Sequence, residues 1–381
     1  MKFAHLGDCH LGGWRESKLR DLNFESFKTA IEICIKEKVD FVLIAGDLFN
    51  TPIPSIECLK FAVEQLKKLK NNGIKCYAVA GSHDFSLSGR SIIDVLDSAE
   101  LLINVAKFEQ KENKTKLNWF VDEKVAIIGV PGLKGELEKN FFKNLAIPNL
   151  ASNKFKIFLF HSGAIEDLPE GFDYYATGHL HLRKQIKLFN KPLVFPGPTF
   201  PNNVNELEEL RCGSFVIYDD GQIKEILLPS KALEVIEIDC SGLTSNEVLN
   251  QLKNIKLKNE NTIVLIKIKG EIIGSVSEIK WQDVYETLYN QGAWLVLRST
   301  NLTSKEFEIK NFPNFSSIDE IENQIINEAK SNLNLFNEEE EKAIIKSIIS
   351  VLSKEKSEDQ TSYNYEAKIK SDLDKLFFSN N

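Results

Sequence analysis

The run Phe3–Gly13, FAHLGDCHLGG, constrains the fold more than any other stretch of this chain. A short apolar strand ends in Asp8-Cys9-His10 and then a glycine turn. Side chains two apart on an extended chain point to one side, so Asp8 and His10 are expected to share a metal ion. One D-x-H alone is weak evidence. Four more apolar runs end in residues of the same type: FVLIAGD at Asp47, CYAVAGSHD at Ser82, His83 and Asp84, IFLFH at His161, and YYATGHLH at His179 and His181. Five strands that deliver ligands at their carboxyl ends predict an α/β sheet with a site along that edge.

The rest of the chain fits around these strands. Phe24, Phe27, Ile31, Cys34 and Ile35 recur at helical spacing, which predicts a helix over 21–38. The near-continuous apolar run 39–45 reads as a parallel strand covered on both faces, and so as a central one. Helices are expected at 55–70, with Ser55 as N-cap, and at 91–99. Strands are expected at 75–80, 125–130, 155–160, 173–177, 183–196 and 213–228, and a polar hairpin tip or loop at 109–118. This alternation predicts an α/β domain over 1–230. Residues 231–310 contain no histidine and read strand, helix, strand, helix, strand, a small α+β domain. A linker and helical tail make up 311–381. There, 338–354 and 365–378 each place aliphatic residues on one helical face.

Six potential ligands (Asp8, His10, Asp47, His161, His179, His181) are too many for one tetrahedral ion. They suit two divalent ions about 3.5–4 Å apart that share a carboxylate, and Asp47 on the central strand is the expected bridge. Mixed carboxylate and imidazole donors favour manganese, iron, zinc or magnesium over thiol-seeking metals. Two-metal chemistry suits phosphate esters. His83 is then the expected proton or hydrogen-bond donor to the leaving oxygen, and Asp84 the carboxylate that orients its ring. His5 lies within a strand and reads as a structural histidine.

The formal charge of −8 argues against indiscriminate coating of nucleic acid, though a local basic footprint is compatible with it. Arg15, Lys18 and Arg20 cluster just past the first motif; they read either as a solvated face or as DNA contacts. The six cysteines show no C-x-x-C spacing, no run of 18 apolar residues occurs, and no signal pattern precedes the first strand. The expectation is a cytoplasmic protein without a membrane span.

The order D-x-H, G-D, G-x-H-D, H, G-H-x-H resembles that of the calcineurin-like metallophosphoesterases. The wording DCHLGG, AGDLFN, AGSHD, FHSG and YYATGHLH is most similar to the SbcD/Mre-eleven family of double-strand-break repair nucleases. The resemblance is strong over 1–230, and 231–310 resembles the family's DNA-capping domain in position and size only. It implies a metallophosphoesterase sandwich and a manganese-dependent nuclease, a 3′–5′ exonuclease on duplex ends and an endonuclease on single strands. It also implies a nucleoid-associated homodimer joined through helices 55–70 and 91–99. An SbcC/Rad-fifty-type ATPase would be bound by residues 337–381. One departure matters: Ser82 stands where the family has an asparagine whose side-chain oxygen binds the second metal. Gly197-Pro198-Thr199 departs from a more usual Gly-Ser. Two other readings compete: a small-molecule phosphoesterase, and a scaffold that has lost its second metal through Ser82.

Overall fold

The computed structural model describes residues 1–304 except 86–89, 112–113, 133–140, 143–144, 151–152 and 164. Of residues 305–381 it describes 344, 347, 348, 351, 352, 365 and 368–372, all helical. Residues Met1–Ser304 form one compact unit and Lys305–Asn381 another. The expected linker and most of the expected tail lie outside the described residues.

The larger lobe is a sandwich of two six-stranded sheets. In the first, Phe41–Ala45 lies between Lys2–Leu6 and Lys75–Val79, parallel to both, so the predicted central strand is central. Its alternation explains the unbroken apolar run. Val42 and Ile44 pack outward beneath Ser17–Lys36 and Ile56–Asn71, while Phe41, Leu43 and Ala45 pack inward against the second sheet. Each such side chain contributes about 1.5–3 kcal/mol when fully buried. The second sheet has Phe155–Phe160 between Val125–Val130 and Tyr174–Ala176, again all parallel. His5 faces the inter-sheet core, where its Nδ1 meets the Tyr174 hydroxyl at 3.2 Å; burial pushes its pKa down to about 3.

In-register parallel pairing brings the carboxyl ends of both sheets to one edge. Beyond the strands the loops continue to pair there: Asp8 N donates to Gly46 O, His10 N to Asp47 O, Gly132 N to Ala80 O and Gly178 N to His161 O. The first helix begins at Ser17, four residues earlier than predicted, because the Glu16 carboxylate caps it through Lys18 N. Lys18 and Arg20 therefore sit in a helical first turn. Phe108–Lys111 and Lys114–Leu117 form an antiparallel hairpin.

The smaller lobe is a three-stranded parallel sheet, Leu233–Asp239, Ile263–Ile272 and Leu295–Ser304, with Ser245–Lys253 and Trp281–Asn290 on one face. The lobes share an apolar cluster in which Leu19, Phe200 and Leu207 meet Ile263 and Leu295. No helix among the described residues is long and apolar enough to cross a membrane.

Candidate metal centre

The ligand-bearing segments leave their strands through left-handed backbone. Asp8 (φ 51°), His10 (φ 42°), Asp47 (φ 50°), His179 (φ 70°) and His181 (φ 51°) all have positive φ. Non-glycine residues rarely do, and such strain clusters at functional sites. This corrects the reason expected for the Asp8–His10 pair. The strand ends at Leu6, and tight turns, not strand alternation, bring the two side chains together.

Three overlapping groups result, each with one ligand atom per residue within 4.8 Å of the others: Asp8, His10 and His181; His10, Asp47 and His83; and Asp8, Asp47 and His161. His10 Nε2 faces His181 Nε2 at 3.0 Å and Asp47 Oδ2 at 3.6 Å, while His161 Nε2 stands 3.3 Å from the same Asp47 oxygen. Asp8, His10 and Asp47 each belong to two of the groups. Backbone fits tightly behind Asp47. A Cβ on Gly81 would stand 2.2 Å from Asp47 Oδ1, so only glycine fits at that position.

The far side of each ring sets its tautomer. His161 Nδ1 donates to Ala45 O at 2.9 Å and His181 Nδ1 donates to Glu206 Oε1 at 2.9 Å, which turns each Nε2 toward the cluster. Asp8 Oδ2 and His161 Nε2, on the cluster side, are buried with no hydrogen-bond partner. Orphaned polar atoms of this kind are costly unless a ligand satisfies them. The donor set therefore fits divalent cations. Burial opposes charge on both Asp47 and His161, but their pairing overrides it: the Asp47 carboxyl is held well below its usual range and His161 is lifted to about 9. Burial raises the pKa of Asp8 and pushes that of His10 down to about 3.

Residues 1–183 match the calcineurin-like phosphoesterase family. Over 305 residues the chain is 28% identical to the DNA double-strand break repair protein Mre11 of Archaeoglobus fulgidus, a match that spans 72% of this chain and 65% of that one. The protein of the same name from Methanocaldococcus jannaschii is 28% identical over 71% of this chain and 77% of its own. That from Methanococcus maripaludis is 28% identical over 76% and 79%. Residues 1–183 thus carry a calcineurin-like phosphoesterase domain, and the chain is similar to the Mre11 proteins. With these side chains it is a metal-dependent phosphoesterase.

The remaining predicted site residues of this phosphoesterase are placed as follows. His179 joins none of the three groups; its backbone N–H donates to Asp8 Oδ1 at 2.8 Å and its ring meets His161 edge-on, centroids 5.0 Å apart. Ser82 is half-buried on the turn that also holds His83. His83 is exposed; its backbone N–H donates to Asp47 Oδ1 at 2.8 Å and its ring Nδ1 to Asn50 O at 2.8 Å.

Two expectations are corrected. Asp84 does not orient the His83 ring, because the Asn50 carbonyl already holds it. The Asp84 carboxylate is fully buried and accepts from the backbone N–H groups of Leu48, Phe49 and Gly81, fastening the Asp47 loop to the His83 turn. Burial, helped by Asp47, raises its pKa to about 6. Lys18, expected as a DNA contact, points to the smaller lobe: it donates to Trp294 O at 2.6 Å and lies over the Trp294 and Tyr289 rings. Arg15 is exposed and Arg20 half-buried.

Sequence reasoning missed three residues. Asn23, buried in the first helix, donates to Cys9 O and accepts from Gly12 N, which shapes the Asp8–His10 turn. Asn50 positions His83. Glu206 lies within the first turn of Val204–Leu210 and reaches His181. For Glu206 one signal existed: an Asn203-x-x-Glu206 start, in which Asn203 caps the Glu206 N–H and Glu206 accepts from Asn202 N.

Proposed function

We propose that this chain is a manganese-dependent DNA nuclease of double-strand-break repair, a 3′–5′ exonuclease on duplex ends and an endonuclease on single strands. One observation carries the reading: three ligand groups overlap through Asp8, His10 and Asp47 at the edge where both sheets end. That the matched relatives are named for double-strand break repair supports the DNA substrate. Asp8, His10, Asp47, His161, His179 and His181 would hold two divalent ions, with Ser82 beside the second. Bound there, the ions would neutralise charge on a phosphodiester and lower the pKa of water. Ser82 offers a short neutral oxygen, which makes the second ion the weaker one.

The protein's own groups do the rest. Asp47 holds the His83 turn against the cluster, and Asn50 fixes His83 Nδ1 as the protonated nitrogen. His83 Nε2 is thereby free to exchange a proton or hydrogen bond with the leaving oxygen. Arg15 and Arg20, just past the first motif in sequence, are read as phosphate contacts. The protein is read as cytoplasmic and nucleoid-associated.

The test is cleavage of linear duplex DNA and of single strands with manganese, beside a His83→Ala control. Hydrolysis of a generic phosphate ester without DNA cleavage would favour the small-molecule reading; absence of metal uptake would favour the inert scaffold. Self-association through helices 55–70 and 91–99 is supported by apolar exposure, with Ile56 87% and Val95 56% exposed. Leu66 and Ala62 instead face the first sheet, so only part of the helix's apolar surface is free. Leu59 and Ile92, the positions expected from sequence, pack partly on the core, so Ile56→Glu or Val95→Glu is the variant that should give monomers in sedimentation. Residues 337–381 are proposed to dock an SbcC/Rad-fifty-type ATPase, and deleting them should abolish co-purification with it.

A further inference from the structure

The smaller lobe touches the metal centre through one short helix. Val204–Leu210 carries Glu206 and Glu208, which point to different sides because two helical residues are about 200° apart. Glu206 Oε1 accepts from His181 Nδ1 at 2.9 Å, and its other oxygen accepts from Asn202 N at 2.8 Å. Glu208 receives Lys267 Nζ at 2.9 and 3.1 Å on its two oxygens. Lys267 stands on the central strand of the smaller sheet, with Glu237 also 3.3 Å from it. Between the two glutamates, Leu207 is fully buried in the apolar cluster that joins the lobes. The helix is therefore held by the smaller lobe through Lys267 and Leu207, and holds a ligand-type histidine through Glu206.

We propose that Glu206 is the positioning residue for His181, and that Lys267 fixes the helix from which it acts. The inference rests on reading the site as a metal centre. Glu206 keeps the His181 proton on Nδ1 and the Nε2 lone pair facing His10. A carboxylate behind a ligating imidazole fixes the ring and raises its basicity, and losing one typically costs 10- to 100-fold in metal affinity. The second lobe then contributes to metal binding without supplying a ligand.

The experiment is a manganese titration of the full chain by calorimetry, with a thermal melt of every variant. Glu206→Ala should weaken one of the two ions by about 10- to 100-fold. Glu206→Gln, which keeps an acceptor oxygen and a near-identical shape, should weaken the same ion less. Lys267→Ala should weaken that ion by up to about fivefold, the reach of a partly exposed ion pair. Exchanging the charges, Lys267→Glu with Glu208→Lys, should restore it. Wild-type affinity for both ions in Glu206→Ala and Glu206→Gln would overturn the positioning role. A Lys267→Ala protein with a lowered melting temperature but unchanged affinity would overturn the link between the lobes. A wild-type chain that takes up no manganese would overturn the metal centre itself, a result separate from the other two.

Discussion

The two ends of the same strands handle charge in opposite ways, partly exposed and paired at one end and buried at the other. At the amino ends, polar groups find partners. Asp40 accepts from Lys2 N and pairs with Lys124 at 2.6 Å, Lys75 pairs with Asp122 at 2.6 Å, and Asp173 accepts from Lys156 N and pairs with Lys191 at 2.8 Å. Asp122 also receives the Tyr77 hydroxyl, which stitches the first sheet to the second. At the carboxyl ends, Asp8 Oδ2 and His10 Nδ1 have no such partners, and five ligand-type residues sit in left-handed backbone. One scaffold carries both edges. What separates a binding edge from a structural one is unsatisfied polarity, since left-handed residues also occur at the amino edge (Lys38, Phe189, Asn190, Asp220) and the strands and their register serve both equally.

That contrast can be broken or sharpened by measurement. The largest effect is expected at His83. His83→Ala should lower manganese-dependent cleavage by about 100- to 10,000-fold, as loss of a general acid–base group does, and leave the melting temperature near wild type. Wild-type cleavage would remove His83 from the chemistry.

Next comes the packing behind the ligands. Gly81→Ala places a Cβ against Asp47 Oδ1 and the Asp47 backbone N, and should weaken manganese binding at least about tenfold. Unchanged binding in a calorimetric titration would show that Asp47 can move away at little cost.

Asp84→Ala should act on stability. It leaves three backbone donors without their acceptor, at about 1–3 kcal/mol for each that stays buried and unpaired. Urea unfolding reads this directly, and a midpoint equal to wild type would show that water replaces the carboxylate.

The smallest effect belongs to the amino edge, where Asp122→Asn should cost about 1 kcal/mol or less, as partly exposed ion pairs do. The two carboxylates should also answer pH with opposite sign. Burial would raise the Asp122 pKa, but Lys75 and Tyr77 prevail and lower it to about 2. Its stabilisation is complete above the unfolded value of 3.8 and is lost as pH falls through about 2. The Asp84 value is raised to about 6, so the folded state binds the proton more tightly. Its contribution to stability declines as pH rises from 3.8 to about 6. Unfolding of Asp84→Asn and Asp122→Asn across that range should remove one slope each; two slopes of the same sign would sink the comparison.

The sequence by itself determined the strands and their chemistry. Apolar runs covered on both faces can only be central strands of a layered α/β fold, and polar residues that end such runs must gather at one edge. Asp8, His10, Asp47, His161 and His181 were legible for that reason, and so was the strand–helix alternation of 233–304. Tertiary structure alone decided what stands behind them. Glu206 lies 25 positions from His181 and Lys267 lies 59 from Glu208, distances over which no local periodicity operates. The same holds for Asp84, whose turn puts it beside His83 in sequence, while its carboxylate pairs with Leu48 and Phe49 in space. Lys18 read as a free cation because only the packed lobes bring Trp294 beneath it. Ligand type follows from local composition. A hydrogen-bond partner follows from which buried donor would otherwise be left unpaired, and burial is settled only when the lobes close on one another.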